Sequence, residues 1–244
     1  MDLQELMNKP LPQIPDEIKA AIGKMGITLT SYEDKNEILR SASLQAEAGY
    51  RFFDDGSALV SMYCPMPGIT AEMINWWFWW HVQENIRYQI WFPGAHYANS
   101  YSKKNAAYFS QPTLPPFEDN DQYPKETVGS MTSQLVIHFV KPEEMGFDPD
   151  VMKEDNIPVI VCGHVGLKGL FNHTEMAHCF RQTADGLYMF SRFWMGTPIK
   201  IKPLRKIIMT DAMVRGMAEH CCIEYRNLAE ILPGLYEEYG KVGT

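Results

Sequence analysis

The order of the patterns along the chain is the feature that most constrains the fold. Runs typical of β-strands come first, and the turn sequences DDGS and TADG join two pairs of them into hairpins. One long helical pattern, from about Asp211 to Tyr239, comes last. Strands joined by hairpins are antiparallel, and a terminal helix must bury its apolar face against them. The sequence therefore predicts an α+β protein in which a curved antiparallel sheet surrounds a long C-terminal helix. The strand patterns cover residues 50–63, 132–140, 158–165 and 175–194.

Composition excludes several classes of partner. The chain has 244 residues, is 45% hydrophobic and carries a formal net charge of -8. Binding to nucleic acid needs clustered Lys and Arg, and the longest basic run here is Lys103-Lys104. No segment approaches the roughly 18 uncharged apolar residues of a membrane span. We expect no nucleic-acid partner and no membrane partner.

The cysteines indicate a reducing compartment. There are five, an odd number, and none stands in a CxxC spacing. Such a set is typical of free thiols rather than a disulfide framework. The first residues, MDLQE, are acidic and contain no apolar stretch of the signal-peptide kind. We expect a cytoplasmic protein.

Two regions follow from the distribution of proline and of strand patterns. Residues 1–45 are predicted to be an N-terminal extension, with a short helix from Asp16 to Lys24. Residues 46–244 form the main domain. The extension has few apolar residues of its own, so it is predicted to wrap the main domain or to contact a second copy in a homodimer. Residues 92–125 are rich in proline, and a long irregular stretch of this kind is more often functional than idle.

A tryptophan-rich helix suggests a pocket. Four of the six tryptophans lie in residues 76–80, and His81 follows them directly. Thr70 is predicted to cap this helix. Tryptophan supplies large flat walls for aromatic ligands, but aromatic stripes are also common in ordinary cores. Both interpretations, pocket lining and core, stay open at this point.

The strongest chemical signal lies on the terminal helix. His220 and Glu224 are four residues apart, so they share one helix face. Met213 and Met217 lie on the same face, which is therefore predicted to be buried. A buried carboxylate needs a partner or a cation, and His and Glu at this spacing can bind one metal ion. The alternative is an ordinary His–Glu pair on a solvated face.

More ligands are needed for a metal site. His96 is the best candidate because the turn FPGA before it fixes its direction, and Glu126 lies at the start of the strand block. A thiol nucleophile at Cys221-Cys222 is disfavoured, since adjacent helical residues point in different directions. The sequence contains no GxSxG, P-loop or GxGxxG motif. Competing histidines are His81, His138, His164 and His178, of which His138 and His164 fall inside strand patterns.

These segments together resemble a known family. Residues 73–81 (MINWWFWWH), residues 87–96 (RYQIWFPGAH) and the late HxxxE are similar to the 2,4-diacetylphloroglucinol hydrolase and phloretin hydrolase family. The resemblance runs from about residue 48 to residue 235. It implies a START-like helix-grip fold of the birch-pollen-allergen type, with a metal-containing cavity in the catalytic domain.

The resemblance also implies a set of site residues. The Zn²⁺ ligands carried over are His96, Glu126, His220 and Glu224. The catalytic groups carried over are Tyr88, Asn99, His173 and Tyr188. Two N and two O ligands also suit Fe, Mn or Co, so the sequence alone leaves the identity of the metal open.

The function implied is hydrolysis of a carbon–carbon bond. Members of the family remove the acyl group from an acylphloroglucinol, a small aromatic ketone, to give the phenol and a carboxylic acid. Two alternatives stay open. A helix-grip cavity can serve a non-catalytic carrier of hydrophobic ligands, and a metal hydrolase can act on another ester or β-diketone.

Overall fold

The computed structural model describes residues 2–110 and 119–240, and within them ten α-helices and nine strands. The helices are α1 (Leu3–Met7), α2 (Asp16–Lys24), α3 (Lys35–Arg40), α4 (Ala42–Gln45), α5 (Ala71–Trp80), α6 (Asn85–Gln89), α7 (Ala106–Phe109), α8 (Pro149–Glu154), α9 (Lys202–Ile208) and α10 (Asp211–Tyr239). The strands are β1 (Gly49–Phe52), β2 (Ala58–Pro67), β3 (His96–Ala98), β4 (Asn120–Gln122), β5 (Lys125–Val128), β6 (Met131–Val140), β7 (Val159–Leu167), β8 (Asn172–Gln182) and β9 (Gly186–Met195).

The strands form one antiparallel sheet in the order β1-β2-β9-β8-β7-β6-β5-β3, with β4 also paired to β6. The helix α10 contacts β1 and β2 near one end of this order and β5 near the other. One helix can contact both ends only if the sheet curves around it. The predicted α+β class, with a curved antiparallel sheet and a long C-terminal helix, is therefore confirmed.

The two faces of the sheet pack against different layers. Alternate residues of a strand point to opposite faces. On β9, Met189 and Phe193 point to the inner face, toward α10, and belong to the main core. Phe190 and Trp194 point to the outer face and pack with Ile38 of α3 in a second apolar cluster. Side chains of β9 therefore contact α10 from the inner face of the sheet and not from the outer face.

Local signals fix both long helices. The Thr210 hydroxyl accepts a hydrogen bond from the Met213 N–H at the start of α10, and Thr70 does the same for Met73 in α5, as predicted. Trp76, Trp77 and Trp80 of α5 are buried in the main core. The core interpretation therefore holds for these tryptophans.

The N-terminal residues pack on the same sheet. The predicted helix Asp16–Lys24 is confirmed as α2, and its Ile18 and Ile22 join the main core beside β1. The boundary at residue 45 and a dimer contact stay predictions. Of the proline-rich stretch 92–125, residues 111–118 lie outside the described residues.

In the ranges 2–110 and 119–240, no helix is long and apolar enough to cross a membrane. All five cysteines are buried and unpaired. Burial raises the pKa of Cys64 to about 12 and that of Cys222 to about 11.

Thiol counting tests this pattern. Because the thiolate is the reactive form, we expect the native protein to react slowly with a thiol reagent. The denatured, unreduced protein should give five thiols per chain. A reduced sample serves as the control, and an unreduced count near one would contradict the prediction by showing disulfides.

Candidate functional site

A cavity of about 90 Å³ lies between α10 and the inner face of the sheet. Apolar side chains make most of its wall, while polar side chains gather at a few places. An apolar enclosure with a few convergent polar groups is the usual form of a small-molecule site. The larger apolar groups are Phe78, Trp91, Phe139, Phe193, Met213 and Met217.

Two strands and one helix bring two histidines and two glutamates to one side of this cavity. His96 begins β3 and is the register partner of Glu126 on β5. His220 and Glu224 reach the same place from α10. The His96 Nε2 atom lies 3.1 Å from His220 Nε2, 3.6 Å from Glu224 Oε2 and 3.7 Å from Glu126 Oε2. The structure thus places side by side the four residues that the resemblance names as ligands.

The other ring nitrogen of each histidine is held by the backbone. His96 Nδ1 lies 3.3 Å from the Tyr88 carbonyl oxygen, and His220 Nδ1 lies 3.0 Å from the Thr127 carbonyl oxygen. A carbonyl only accepts, so each Nδ1 carries the hydrogen and donates it. The Nε2 lone pairs of the two rings then face each other. Backbone carbonyls fix the rings of metal-ligating histidines in this same way.

Burial of the charged forms of these side chains costs free energy, and it shifts their pKa values. Burial and the neighbouring His220 lower the pKa of His96 well below its usual value. Burial also raises the pKa of Glu224, although His220 partly offsets it. Burial lowers the pKa of His220, but the nearby carboxylates of Glu224 and Glu126 outweigh it and leave this pKa raised. One positive charge among these donors would relieve both the lone-pair and the carboxylate repulsion.

The donor set fits a divalent cation. Ligand bonds of about 2.0–2.2 Å in a tetrahedral zinc site place neighbouring donor atoms about 3.3–3.6 Å apart. The separations here are 3.1, 3.6 and 3.7 Å from His96 Nε2, and His220 Nε2 lies 3.6 Å from Glu224 Oε2. The donor atoms of His96, His220 and Glu224 all lie within 4.8 Å of one another, with Glu126 at the edge of this group.

Tyr88 joins the cluster to the cavity. Its ring lies parallel to that of His96, with centroids 4.1 Å apart, and its hydroxyl donates to Glu126 Oε2 at 2.5 Å. Burial, with the charge of Glu126, raises the pKa of Tyr88 well above its usual value. The side chain is therefore a neutral phenol that lines the cavity beside the ligand set.

Asn99 belongs to a row of buried polar groups. Its Nδ2 donates to Gln122 Oε1 at 2.8 Å and lies 3.5 Å from His81 Nε2. His81 Nδ1 donates to the Trp77 carbonyl at 2.8 Å, so its Nε2 is the acceptor. Both N–H groups of Asn99 are thus engaged. The amide oxygen, which accepts from the Ser100 N–H, retains a lone pair for another donor.

A β-bulge turns His173 into the cavity. Thr174 pairs with Val165, but the next pair is Gly166 with Asn172, so His173 is an extra residue on β8. Both His173 and Thr174 line the cavity as a result. The Nδ1 atom of His173 lies 2.8 Å from the Thr174 hydroxyl, and its buried Nε2 has no hydrogen-bond partner. Burial lowers the pKa of His173 to about 4, so the ring is neutral near pH 7.

Tyr188 lies on the other side of the sheet. It pairs with Arg181 in the β8–β9 hairpin and points to the outer face, where its ring stacks on Tyr63 at 5.8 Å. The structure therefore does not bring Tyr188 to the cavity, in contrast to Tyr88, Asn99 and His173. The reason is the strict alternation of β9, which places Leu187 and Met189 on the inner face.

Gln122 and Ser133 line the cavity without having been singled out by sequence reasoning. His81 and His178, which the sequence offered only as competing histidines, line it as well. His178 Nδ1 lies 2.7 Å from the Ser191 hydroxyl, and burial lowers its pKa to about 3. The sequence could have placed His178 in the cavity, because it lies two residues after the buried Met176 and therefore points to the same face of the strand. His138 and His164 lie on the outer face and pair with Asp121 and Glu175, in keeping with their strand patterns.

The buried histidines make folding sensitive to acid. The pKa of His178 is about 3 in the folded state, against about 6.5 for an unfolded histidine. Below about pH 6.5 only the unfolded chain binds this proton, so the free energy of unfolding falls by about 1.4 kcal/mol per pH unit. Urea unfolding at about pH 7.5 and about pH 5.5 measures the loss, and His178→Gln should reduce it by about 1.4 kcal/mol.

The control for this pH prediction is Met176→Leu, a change on the same inner face of β8 that alters no ionisable group. It should leave the dependence on pH close to that of the parent protein. Equal losses in all three proteins would contradict the assignment of acid sensitivity to the buried ring.

Fold and cavity together define a protein with an enclosed, mostly apolar cavity beside a cluster of side chains that could hold a metal ion. The family model for the DAPG hydrolase PhiG domain matches residues 29–237. The chain belongs to this family of hydrolases, as the resemblance in its sequence implied.

Two relatives illustrate the match. Phloretin hydrolase of Eubacterium ramulus is 32% identical over 219 residues, which cover 85% of this chain and 78% of the relative. The 2,4-diacetylphloroglucinol hydrolase of Pseudomonas protegens is 32% identical over 237 residues, covering 87% and 75%. Among solved structures, a protein of Rhodobacter sphaeroides matches with a TM-score of 0.40 and 13% identity, over 74% of this chain and 95% of that one.

Proposed function

We propose that this protein hydrolyses the carbon–carbon bond between the acyl group and the ring of an acylphloroglucinol. The observation that carries the proposal is the meeting of four ligand-type side chains beside a buried tyrosine in an apolar cavity. The family and its two named activities, on phloretin and on 2,4-diacetylphloroglucinol, support the substrate class.

The chemical difficulty is the leaving group, because an aryl carbanion is too unstable to leave. Moving the proton of an ortho hydroxyl to the ring carbon that bears the acyl group creates a β-diketone. Water then adds to the acyl carbonyl and the carbon–carbon bond breaks. Its electron pair enters the ring ketone, and the proton from water restores the phenol. The sum is ketone plus water giving phenol plus carboxylic acid.

His173 suits the proton transfer. Its ring is neutral near pH 7 and its Nε2 is buried without a hydrogen-bond partner, in the wall of the cavity. It can take the proton from an ortho hydroxyl and return it to the ring carbon. Both N–H groups of the Asn99 amide are already engaged, so the group that it offers to the substrate is its oxygen. This oxygen accepts a hydrogen bond from a second ring hydroxyl. Tyr88 offers its phenol oxygen at the edge of the ligand set.

Zinc is the metal proposed for His96, Glu126, His220 and Glu224. When bound, such a cation supplies Lewis-acid polarisation and lowers the pKa of water. The protein's own share is to hold the donors, through the carbonyls of Tyr88 and Thr127, and to exclude bulk water with aromatic and methionine side chains. A carrier of hydrophobic ligands has no use for buried carboxylates at this cost, which weighs against that alternative.

Metal analysis and substrate profiling together test the proposal. The purified protein should contain about one zinc per chain, and it should release the carboxylic acid from phloretin or from 2,4-diacetylphloroglucinol. The comparison of 2,4,6-trihydroxyacetophenone with its analogue methylated on both ortho oxygens isolates the mechanism. Equal rates would exclude proton transfer from an ortho hydroxyl and favour a plain carbonyl hydrolase. Ligand binding without any cleavage would identify a carrier.

The wider architecture is part of the same proposal. We propose a START-like helix-grip domain over residues 46–244, with residues 1–45 as the extension, and a cytoplasmic homodimer as the working state. The wrapping of the sheet around α10 supports the helix-grip interpretation. Light scattering on the purified protein measures the assembly, and a monomer across the working concentration range would overturn the dimer.

A further inference from the structure

Two glycines let α10 touch the hairpin turn beside it, backbone against backbone. Gly129 begins the two-residue turn between β5 and β6, and Gly216 lies in α10. A methyl group on Gly216 would stand 2.6 Å from the Cα and 2.7 Å from the N of Gly129. Carbon atoms normally approach to about 3.5–4.0 Å. No other residue fits at position 216 unless helix and turn separate by about 1 Å.

This contact lies one helical turn from the ligand cluster. Gly216, His220 and Glu224 follow at intervals of four and share one face of α10. Across the contact, Gly129 closely follows Glu126 on β5, the strand that pairs with His96. The cluster therefore has a helix half and a strand half, and the two glycines lie where these halves meet.

The spacing between the halves is tight. His96 Nε2 on the strand half lies 3.1 Å from His220 Nε2 and 3.6 Å from Glu224 Oε2 on the helix half. The hydrogen bond of 3.0 Å from His220 Nδ1 to the Thr127 carbonyl also crosses this boundary. Metal–ligand distances tolerate only about 0.2 Å. An opening of about 1 Å would break the hydrogen bond and separate the donor pairs.

We propose that Gly129 and Gly216 are positioning residues for the metal centre: their contact sets the distance at which the helix ligands and the strand ligands surround one divalent cation. This inference rests on the proposed metal site. Glycine inside a helix is less favourable than alanine, so a glycine at position 216 needs a steric reason such as this one. A contact that served packing alone would affect stability and leave metal affinity unchanged.

Three alanine variants form a graded test. Gly216→Ala adds a methyl 2.6 Å from backbone. Gly129→Ala adds one 3.2 Å from the Ala212 carbonyl oxygen, at a residue whose φ of +61° also disfavours a side chain. Gly23→Ala in α2 adds one with nothing within 4 Å. The dissociation constant for Zn²⁺ is measured on metal-free protein by competition with a chromophoric chelator. The visible spectrum of the Co²⁺ form reports the ligand geometry.

We expect Gly216→Ala to weaken Zn²⁺ binding by about tenfold or more and to change the Co²⁺ spectrum. Gly129→Ala should show a smaller effect and Gly23→Ala none. A folded Gly216→Ala protein that keeps the parent affinity and spectrum overturns the inference. If Gly216→Ala does not fold, parent-like binding by Gly129→Ala overturns it instead. A parent protein that binds neither ion refutes the proposed metal site itself, which is a different result.

Discussion

Replacing Glu224 by alanine is expected to remove the metal and the activity together. Glu224 is 7% exposed and its Oε2 lies 3.6 Å from both His96 Nε2 and His220 Nε2, so its loss removes charge from the centre of the donor set. Loss of a Lewis acid at the reacting carbonyl costs several kcal/mol, which corresponds to about 1,000-fold or more in kcat. Elemental analysis after dialysis and steady-state rates measure the two losses on the same sample.

Glu237→Ala is the matched control, since it makes the same change on an exposed position of the same helix. It should keep the parent metal content and rate. His220→Ala tests the ligand set from the neighbouring position. If both His220→Ala and Glu224→Ala proteins retained one zinc per chain, the proposed ligand set would be wrong.

The parts of this site that depend on local spacing along the chain can be predicted from the sequence, and the parts that depend on tertiary pairing cannot. The pair His220 and Glu224 is local, because helical periodicity alone places residues four apart on one face. The element order likewise predicts the sheet and the terminal helix. By contrast, Glu126 follows His96 by 30 residues, and the register that joins them on β5 and β3 is a tertiary pairing. The residues alone offered both as candidates, and the resemblance to a family joined them in one ligand set.

His173 and Tyr188 show where a regular pattern fails. In the register of β8 with β9, Thr174 pairs with Met195 and Arg181 with Tyr188. Strict alternation would therefore send both His173 and Tyr188 to the outer face. One extra residue on β8 turns His173 inward, while Tyr188 keeps the regular orientation. The position of a bulge depends on the register with the neighbouring strand, which is a tertiary pairing that the sequence around His173 does not fix.

A comparison of two tyrosines extends this argument to activity. Tyr88→Phe keeps the ring that lies 4.1 Å from His96 but removes the hydroxyl that donates to Glu126. The hydroxyl proton is given to Glu126, so the substitution removes a hydrogen bond that orients a proposed ligand. Loss of such a partner typically costs about 10- to 100-fold, so we expect kcat to fall by about 10- to 100-fold. With zinc in excess the metal content should stay near the parent value, because the four proposed ligands are unchanged. The rates and the zinc content of each variant are measured side by side.

Tyr188→Phe is the control, since it is the same substitution on the outer face of the sheet. The ring of Tyr188 stacks on Tyr63. The guanidinium carbon of Arg181 lies 5.4 Å from the centroid of the same ring. We expect kcat within about twofold of the parent, because a hydroxyl on this face cannot reach the substrate without crossing the sheet. The opposite ranking, with Tyr188→Phe impaired and Tyr88→Phe active, would mean that the reaction does not take place in this cavity. Loss of zinc from Tyr88→Phe, even with zinc in excess, would mean that Glu126 does not stay in the ligand set without this hydroxyl.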